Sequence, residues 1–221
     1  MHELRPAGSF LDGLSTGYTL FRADWKAWVA TMALCAVAFG LLILALVWWP
    51  SANAEDPFSP ASLFSEVVFS AGLQLVAAVL LALALTHVRT GRPRPSAAAR
   101  VLGRAPVWVV SVLVGAVSGL LDIVLFGLGS FVSLLLVYVV LCAVDGSGTV
   151  AAFRDGILLL ATPFWSRLGL LLVCSFVAGI GFTLLLVGAF VTVPVAALAV
   201  ALSHVGDHDA DSVAGPLPGA G

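Results

Sequence analysis

The sequence predicts an all-α polytopic transmembrane bundle of about six spans. First, 61% of the residues are hydrophobic and only 10% are charged, whereas a soluble domain is about 25% charged. Second, the uncharged apolar run from Trp28 to Trp49 is long enough for one helix to cross a hydrocarbon core of about 30 Å. Third, polar or glycine-containing breaks separate further runs of this kind. Helices are expected because lipid offers the backbone no hydrogen-bond partners.

The N-terminal segment, residues 1–27, predicts an amphipathic helix at the membrane interface. Phe10, Leu14 and Phe21 recur at helical spacing, and Asp12 lies off that stripe. A helix of this kind rests with its apolar face in the headgroup layer and its polar face in water.

The transmembrane domain, residues 28–205, divides at polar and glycine-containing breaks. Pro50 stops the first span, and glycines near residues 127 and 188 mark tight turns within the last two apolar stretches. The fourth and sixth spans are short, so four full spans with kinked or re-entrant segments stay an alternative. The six predicted spans are residues 28–49, 67–88, 107–126, 131–144, 165–186 and 190–205.

The basic residues predict the orientation. All ten Lys and Arg residues fall on one side of the six-span topology, and Glu55 and Asp56 lie in the longest loop of the other side. Because Lys and Arg accumulate in cytoplasmic loops, we expect both termini in the cytoplasm and the protein in the plasma (inner) membrane of a bacterium. The tail, residues 206–221, is rich in Gly, Pro and Asp and is expected to be disordered.

Similar segments precede two of the hairpins. Phe10, Asp12 and Gly13 match Phe153, Asp155 and Gly156, and each set leads into a Trp-marked span. The repeating unit predicted from this match is an interfacial amphipathic helix followed by a helical hairpin. The adjacent charges Arg154 and Asp155 then belong to the wet face of a surface helix rather than to a catalytic pair.

Three segments carry a family resemblance: VDGSGTVAAFRDG at residues 144–156, TPFW at 162–165 and VTVPVAALAVALSHV at 191–205. Their outline resembles the membrane domain found with some glycerophosphoryl diester phosphodiesterases and with related bacterial multi-span proteins of unknown function. The resemblance implies a membrane module, and the catalytic barrel of those enzymes has no counterpart here. No catalytic residue is carried over.

Asp122, Gln74 and Glu66 form the candidate polar site within the membrane. A charge at the centre of a spanning helix costs roughly 2.5–3.5 kcal/mol, so Asp122 is either functional or a hydrogen-bonded acid close to the membrane interface. Gln74 and Glu66 are eight positions apart and share a helix face. If all three faced one cavity, they would line a transport path.

The loop between the second and third predicted spans is a candidate contact for anionic lipid, since each basic side chain near the membrane surface is worth about 1 kcal/mol of attraction. No aromatic residues alternate with its arginines, which disfavours nucleic-acid binding. The five candidate residues are Arg89, Arg92, Arg94, Arg100 and Arg104.

The sequence therefore predicts a non-enzymatic integral membrane protein that acts through lipid or protein contacts, with a membrane-protein partner or a second copy as possible protein partners. The alternative is a small transporter or permease subunit that uses the polar path of Asp122, Gln74 and Glu66. No catalytic, cofactor-binding or metal-binding set of residues is indicated.

Overall fold

The computed structural model describes residues 10–48, 58–125, 128–161, 163–183 and 188–214. These residues form ten helices and confirm the all-α fold class. The helices are α1 (Phe10–Ala23), α2 (Trp25–Val47), α3 (Pro60–Thr90), α4 (Pro95–Leu102), α5 (Ala105–Leu125), α6 (Leu128–Leu135), α7 (Val137–Asp145), α8 (Thr149–Ala161), α9 (Phe164–Thr183) and α10 (Ala189–Ala214).

The described part of the chain has the helices of a multi-pass membrane protein. Five are long and apolar enough to cross a membrane: α2, α3, α5, the continuous pair α6 and α7, and the first part of α10. A sixth is obtained if α8 and α9, which meet at an angle of 98°, are taken as one broken span. This bend is compatible with a re-entrant segment, which the sequence left as an alternative to a full span.

The helices follow one another as three similar units. Each unit has a short leading helix and then a hairpin: α1 before α2 and α3, α4 before α5 and the α6–α7 pair, and α8 before α9 and α10. The leading helix α4 lies in the arginine-rich loop, where the sequence predicted no helix. The order agrees with the predicted repeating unit and extends it to the middle of the chain.

The leading helices α1 and α8 turn their small residues towards neighbouring helices. A Cβ atom at Gly17 of α1 would lie 3.0 Å from the Val195 carbonyl oxygen of α10. One at Gly156 of α8 would lie 2.6 Å from Val139 Cα of α7. The stripe predicted to rest on the membrane is therefore covered in part by protein, because glycine lets the two backbones approach closely.

Two helices are longer than the spans predicted for them. α3 begins at Pro60 because Ser59 Oγ accepts a hydrogen bond from Ser62 N at 3.1 Å and proline suits the first helical position. α10 continues to Ala214, so residues 206–214 are helical where we expected a disordered tail. Only one glycine and no proline interrupt those residues, and the rest of the predicted tail lies outside the described residues.

The core of the bundle is built around α3. Residues 78–85 of α3 are all buried, and α5, α7 and α10 pack against this helix. The approach of α5 is closest at Gly115, where a Cβ atom would lie 2.5 Å from Ala71 N. Close backbone contact of this kind gives van der Waals packing that the surrounding lipid cannot match.

Candidate functional site

A pocket of about 340 Å³ opens at one end of the bundle, where α3 and α7 end and α5 begins. We call this the basic end, because four arginines line the pocket. Asp145 lines the same pocket. The remaining lining residues are apolar or threonine: Ala82, Leu85, Thr86, Thr90, Val101 and Val144. The four arginines are Arg89, Arg94, Arg100 and Arg104.

Local structure accounts for the convergence of these arginines. Arg89 lies in the last turn of α3, seven positions after Ala82 and on the same face. Gly91 then ends the helix with a φ of 71°, a left-handed conformation that suits glycine at this position. The chain then turns back, and Arg94 directly before α4, Arg100 within α4 and Arg104 directly before α5 line the same pocket.

Asp145 joins three helices at this pocket. Its carboxylate accepts hydrogen bonds from both terminal nitrogens of Arg89 on α3, at 2.5 and 2.9 Å. His204 of α10 lies on the same carboxylate, with Nε2 3.0 Å from Oδ2. Asp145 is 18% exposed and the His204 side chain 2%, so the carboxylate reaches the pocket while the imidazole is enclosed.

The end of α7 concentrates negative charge that the arginines offset. The last carbonyl groups of a helix carry the negative end of its dipole, and Asp145 adds a carboxylate there. Arg104 Nη1 donates a hydrogen bond to the Val144 carbonyl oxygen at 2.8 Å. The chain leaves α7 through Gly146, whose φ of 123° is a conformation that side chains other than glycine rarely adopt.

Of the five arginines proposed for lipid contact, four line the pocket and Arg92 does not. Arg92 belongs to the same loop and is exposed. Nothing in the sequence distinguishes these five arginines, whereas the structure places four of them in the pocket and one outside it.

The structure places Asp122, Gln74 and Glu66 along the contacts of α3, α5 and α6, and none of them lines the pocket at the basic end. Asp122 Oδ1 accepts a hydrogen bond from Ser130 N at 2.9 Å, and Oδ2 one from Ser130 Oγ at 3.2 Å. Gln74, buried on α3, donates to Ser133 Oγ. Asp122 and Gln74 therefore tie α6 to α5 and to α3.

Glu66 is engaged within its own helix. Its Oε1 accepts a hydrogen bond from Ser70 Oγ at 3.4 Å. A Cβ atom at Gly119 of α5 would lie 3.2 Å from the Glu66 side chain, so Glu66 packs against α5. The geometry of the three residues fits helix packing, and the transport path stays a prediction.

A second polar cluster near the basic end joins the start of α2 to α3. Trp28 Nε1 donates a hydrogen bond to His87 Nδ1 at 3.1 Å, and both side chains are fully buried. His87 Nε2 lies 3.5 Å from the Asp24 carboxylate, which precedes α2. Trp28 is the first residue of the first predicted span, and the structure places it inside the bundle.

Asp145 and His204 were not among the predicted site residues. A signal for Asp145 exists in the sequence, because an acid at the C-terminal end of an apolar helix opposes the helix dipole and needs a cation nearby. The partner on α10 has no such signal, since His204 also fits a favourable position near the end of the predicted sixth span. The pairing is visible only once the helices are packed.

Two arginines of the third unit lie away from the pocket. Arg154 is 74% exposed and its Nε lies 2.9 Å from the carboxylate of Asp155, its neighbour. Arg167 is buried, with its guanidinium 5.8 Å from the ring centroid of Tyr138. Tyr138 precedes Asp145 by about two helical turns, so Arg167 is about 10 Å along α7 from the basic end.

No protein-family model, curated protein or solved structure matches the chain. The resemblance to the membrane domain of glycerophosphoryl diester phosphodiesterases therefore stays a prediction.

Proposed function

We propose that this protein is a non-enzymatic membrane protein that binds the phosphate-containing headgroup of an anionic phospholipid at the basic end. The observation that carries the proposal is the composition of the pocket, whose lining includes four arginines and one carboxylate. Three positive charges are left for a ligand. Arginine binds phosphate oxygens through paired N–H donors, which supports this choice of ligand.

The position of the pocket favours a lipid over a soluble anion. α3 and the α6–α7 pair both qualify as membrane spans, and both end at this pocket. Headgroups of the adjacent leaflet lie at the ends of spanning helices. The apolar lining residues Leu85, Val101 and Val144 would contact the glycerol backbone and the first part of the acyl chains.

We further propose that the basic end faces the cytoplasm of a bacterium and that the membrane is the plasma membrane. The support is the excess of Lys and Arg on this side of the predicted topology. Ser96, an exposed residue of α4, gives a test. In a cysteine-free background, Ser96→Cys should resist a thiol reagent that cannot cross the membrane, whereas Ser51→Cys in the opposite loop should be labelled in intact cells.

Lipid binding is tested by native mass spectrometry of the purified protein in mild detergent. The protein is offered equal amounts of phosphatidylglycerol and phosphatidylcholine with identical acyl chains. We expect the wild type to retain mainly the anionic lipid. The double variant Arg94→Gln/Arg100→Gln should lose roughly tenfold or more of this preference, since each substitution removes a charge-assisted contact with the phosphate, worth about 1.5–3 kcal/mol.

Arg92→Gln is the matched control, because Arg92 lies in the same loop and outside the pocket. Its preference for anionic lipid should stay close to that of the wild type. A loss of binding free energy in the control equal to half the loss in the double variant would indicate general attraction of a basic loop. No preference in the wild type would refute headgroup binding.

A further inference from the structure

We infer that the pocket selects a terminal phosphate, a phosphomonoester, over the phosphodiester of most phospholipids, and that Asp145 sets this selectivity. The inference rests on the proposed function and adds the chemical class of the headgroup. It starts from one fact: the residue that holds Arg89 is itself an anion in the wall of the pocket.

Asp145 competes with any ligand for Arg89. Its two carboxylate oxygens occupy both terminal nitrogens of the guanidinium, which is the strong bidentate arrangement of an arginine with an oxyanion. A phosphodiester offers one negative charge and two free oxygens, as a carboxylate does. Replacing the Asp145 carboxylate on Arg89 with a phosphodiester therefore gains little binding free energy.

A phosphomonoester offers both more negative charge and more free oxygens than a phosphodiester. It carries a charge of about −1.5 to −2 at pH 7 and has three terminal oxygens. Two oxygens can take the place of the Asp145 carboxylate on Arg89, and the third is left for another arginine of the pocket. The surplus of three positive charges in the pocket lining matches this larger charge better than that of a diester.

The surroundings of Asp145 allow the exchange. His204 Nε2, 3.0 Å from Asp145 Oδ2, stays beside the carboxylate when Arg89 moves to a ligand. Arg89 is 45% exposed and lies in the last turn of α3, so its side chain can turn without disturbing the core. Asp145 thus acts as an internal anion that a stronger one displaces.

The first experiment needs only the wild-type protein. Native mass spectrometry in mild detergent measures the retention of phosphatidic acid, phosphatidylglycerol and phosphatidylcholine with identical acyl chains, offered in equal amounts. Phosphatidic acid carries the monoester and phosphatidylglycerol the diester. We expect phosphatidic acid to be retained roughly tenfold over phosphatidylglycerol, which corresponds to one strong charge-assisted contact, and phosphatidylglycerol to exceed phosphatidylcholine.

The second experiment tests Asp145 itself. Asp145→Asn keeps the shape of the side chain and removes its charge, so Arg89 becomes available to a diester. Retention of phosphatidylglycerol should rise several-fold and the ratio of the two anionic lipids should fall towards one. Asp155→Asn is the control, because Asp155 pairs with its own neighbour Arg154, and its ratio should equal that of the wild type.

Equal retention of the two anionic lipids by the wild type, with both above phosphatidylcholine, would overturn this inference and leave headgroup binding standing. Equal retention of all three lipids would refute headgroup binding itself. An unchanged ratio in folded Asp145→Asn would show that Asp145 does not set the selectivity. If that variant does not fold, Arg89→Lys, which keeps the charge and loses the paired donors, should lower the same ratio.

A further arm distinguishes a lipid from a soluble phosphate. Inorganic phosphate is added at millimolar concentration to the protein that holds phosphatidic acid. If the lipid stays bound, its glycerol and acyl parts contribute to binding, as the apolar pocket walls indicate. Release of the lipid would assign the pocket to a soluble phosphate and contradict the choice of a membrane ligand.

Discussion

The polar residues of this bundle form two regions that differ in how readily their side chains can exchange partners. At the basic end, Asp145 is shared by Arg89 and His204, and it borders a pocket. Along the contacts of α6, Gln74 and Asp122 each bond to one serine of that helix. The first region has several charged partners within reach and the second has single partners at fixed positions.

The comparison shows that the surroundings of a polar group decide whether it can exchange partners. A hydrogen bond within the bilayer has no water to replace it, so its loss leaves both groups unsatisfied. At the end of the bundle, water or another anion can take over. We therefore expect variants along the contacts of α3, α5 and α6 to change stability alone, and variants of the basic end to change lipid binding as well.

The largest effect is expected for Gly115→Leu. The new side chain would meet the backbone of α3 at Ala71, so α3 and α5 must separate. We expect a loss of at least about 3 kcal/mol of unfolding free energy, at the upper end of overpacking costs, measured by denaturation in sodium dodecyl sulfate. Gly40→Leu is the control, because a Cβ atom at Gly40 meets nothing within 4 Å. Equal stability of the two variants would contradict the close packing.

His204→Ala should be the next most damaging. It removes an enclosed side chain and one partner of Asp145, at a cost of about 2 kcal/mol. Retention of phosphatidic acid should also fall several-fold, since Asp145 loses the partner that holds it when Arg89 moves. Leu198→Ala, another fully buried position of α10, should lower stability without lowering lipid retention. Parallel losses in both variants would make His204 a packing residue only.

Gln74→Leu should cost about 1 kcal/mol, because hydrogen bonds between membrane helices average about 0.6 kcal/mol and reach about 1.7. The loss reflects the bond to Ser133 of α6. Lipid retention should equal that of the wild type, and Leu73→Ala on the exposed side of α3 should be close to neutral. A change in lipid retention would contradict the claim that variants away from the basic end change stability alone.

Asp122→Asn should have the smallest effect, about 0.5 kcal/mol or less, since an Asn side-chain oxygen still accepts the hydrogen bond from Ser130 N. The same variant examines the transporter alternative. Proton flux into vesicles containing the protein is followed with a pH-sensitive dye. We expect wild type, variant and protein-free vesicles to agree. Flux in the wild type that disappears in the variant would favour transport.

The sequence predicts the helical spans well because each is a local property. About twenty apolar residues must be helical in a bilayer, and this rule indicated α2, α3 and α5, whereas the glycine breaks were needed to separate the α6–α7 pair and α10 from the helices before them. The rule did not find α4, because eight residues between prolines and arginines give no span signal. Nor did it give the length of α3, which depends on the cap at Ser59.

The candidate site was predictable only in part. The charge of the arginine loop indicated an anionic ligand, but the helices that fold the loop back decide which arginines share a pocket. Asp145 and His204 lie 59 positions apart, and no local pattern joins them. The course of α8 along α7 likewise depends on Gly156 meeting Val139, a contact that no local pattern in the sequence predicts.

The hydrogen bond from Trp28 to His87 also determines the tautomer of the histidine. An indole nitrogen can only donate, so Nδ1 of His87 carries no proton and the ring is the neutral tautomer with its hydrogen on Nε2. The bond between Trp28 and His87 is thus uncharged, unlike the Arg89–Asp145 pair. Added salt screens exposed charges and leaves neutral buried bonds unaffected. High ionic strength should loosen the pocket while the first hairpin keeps its attachment.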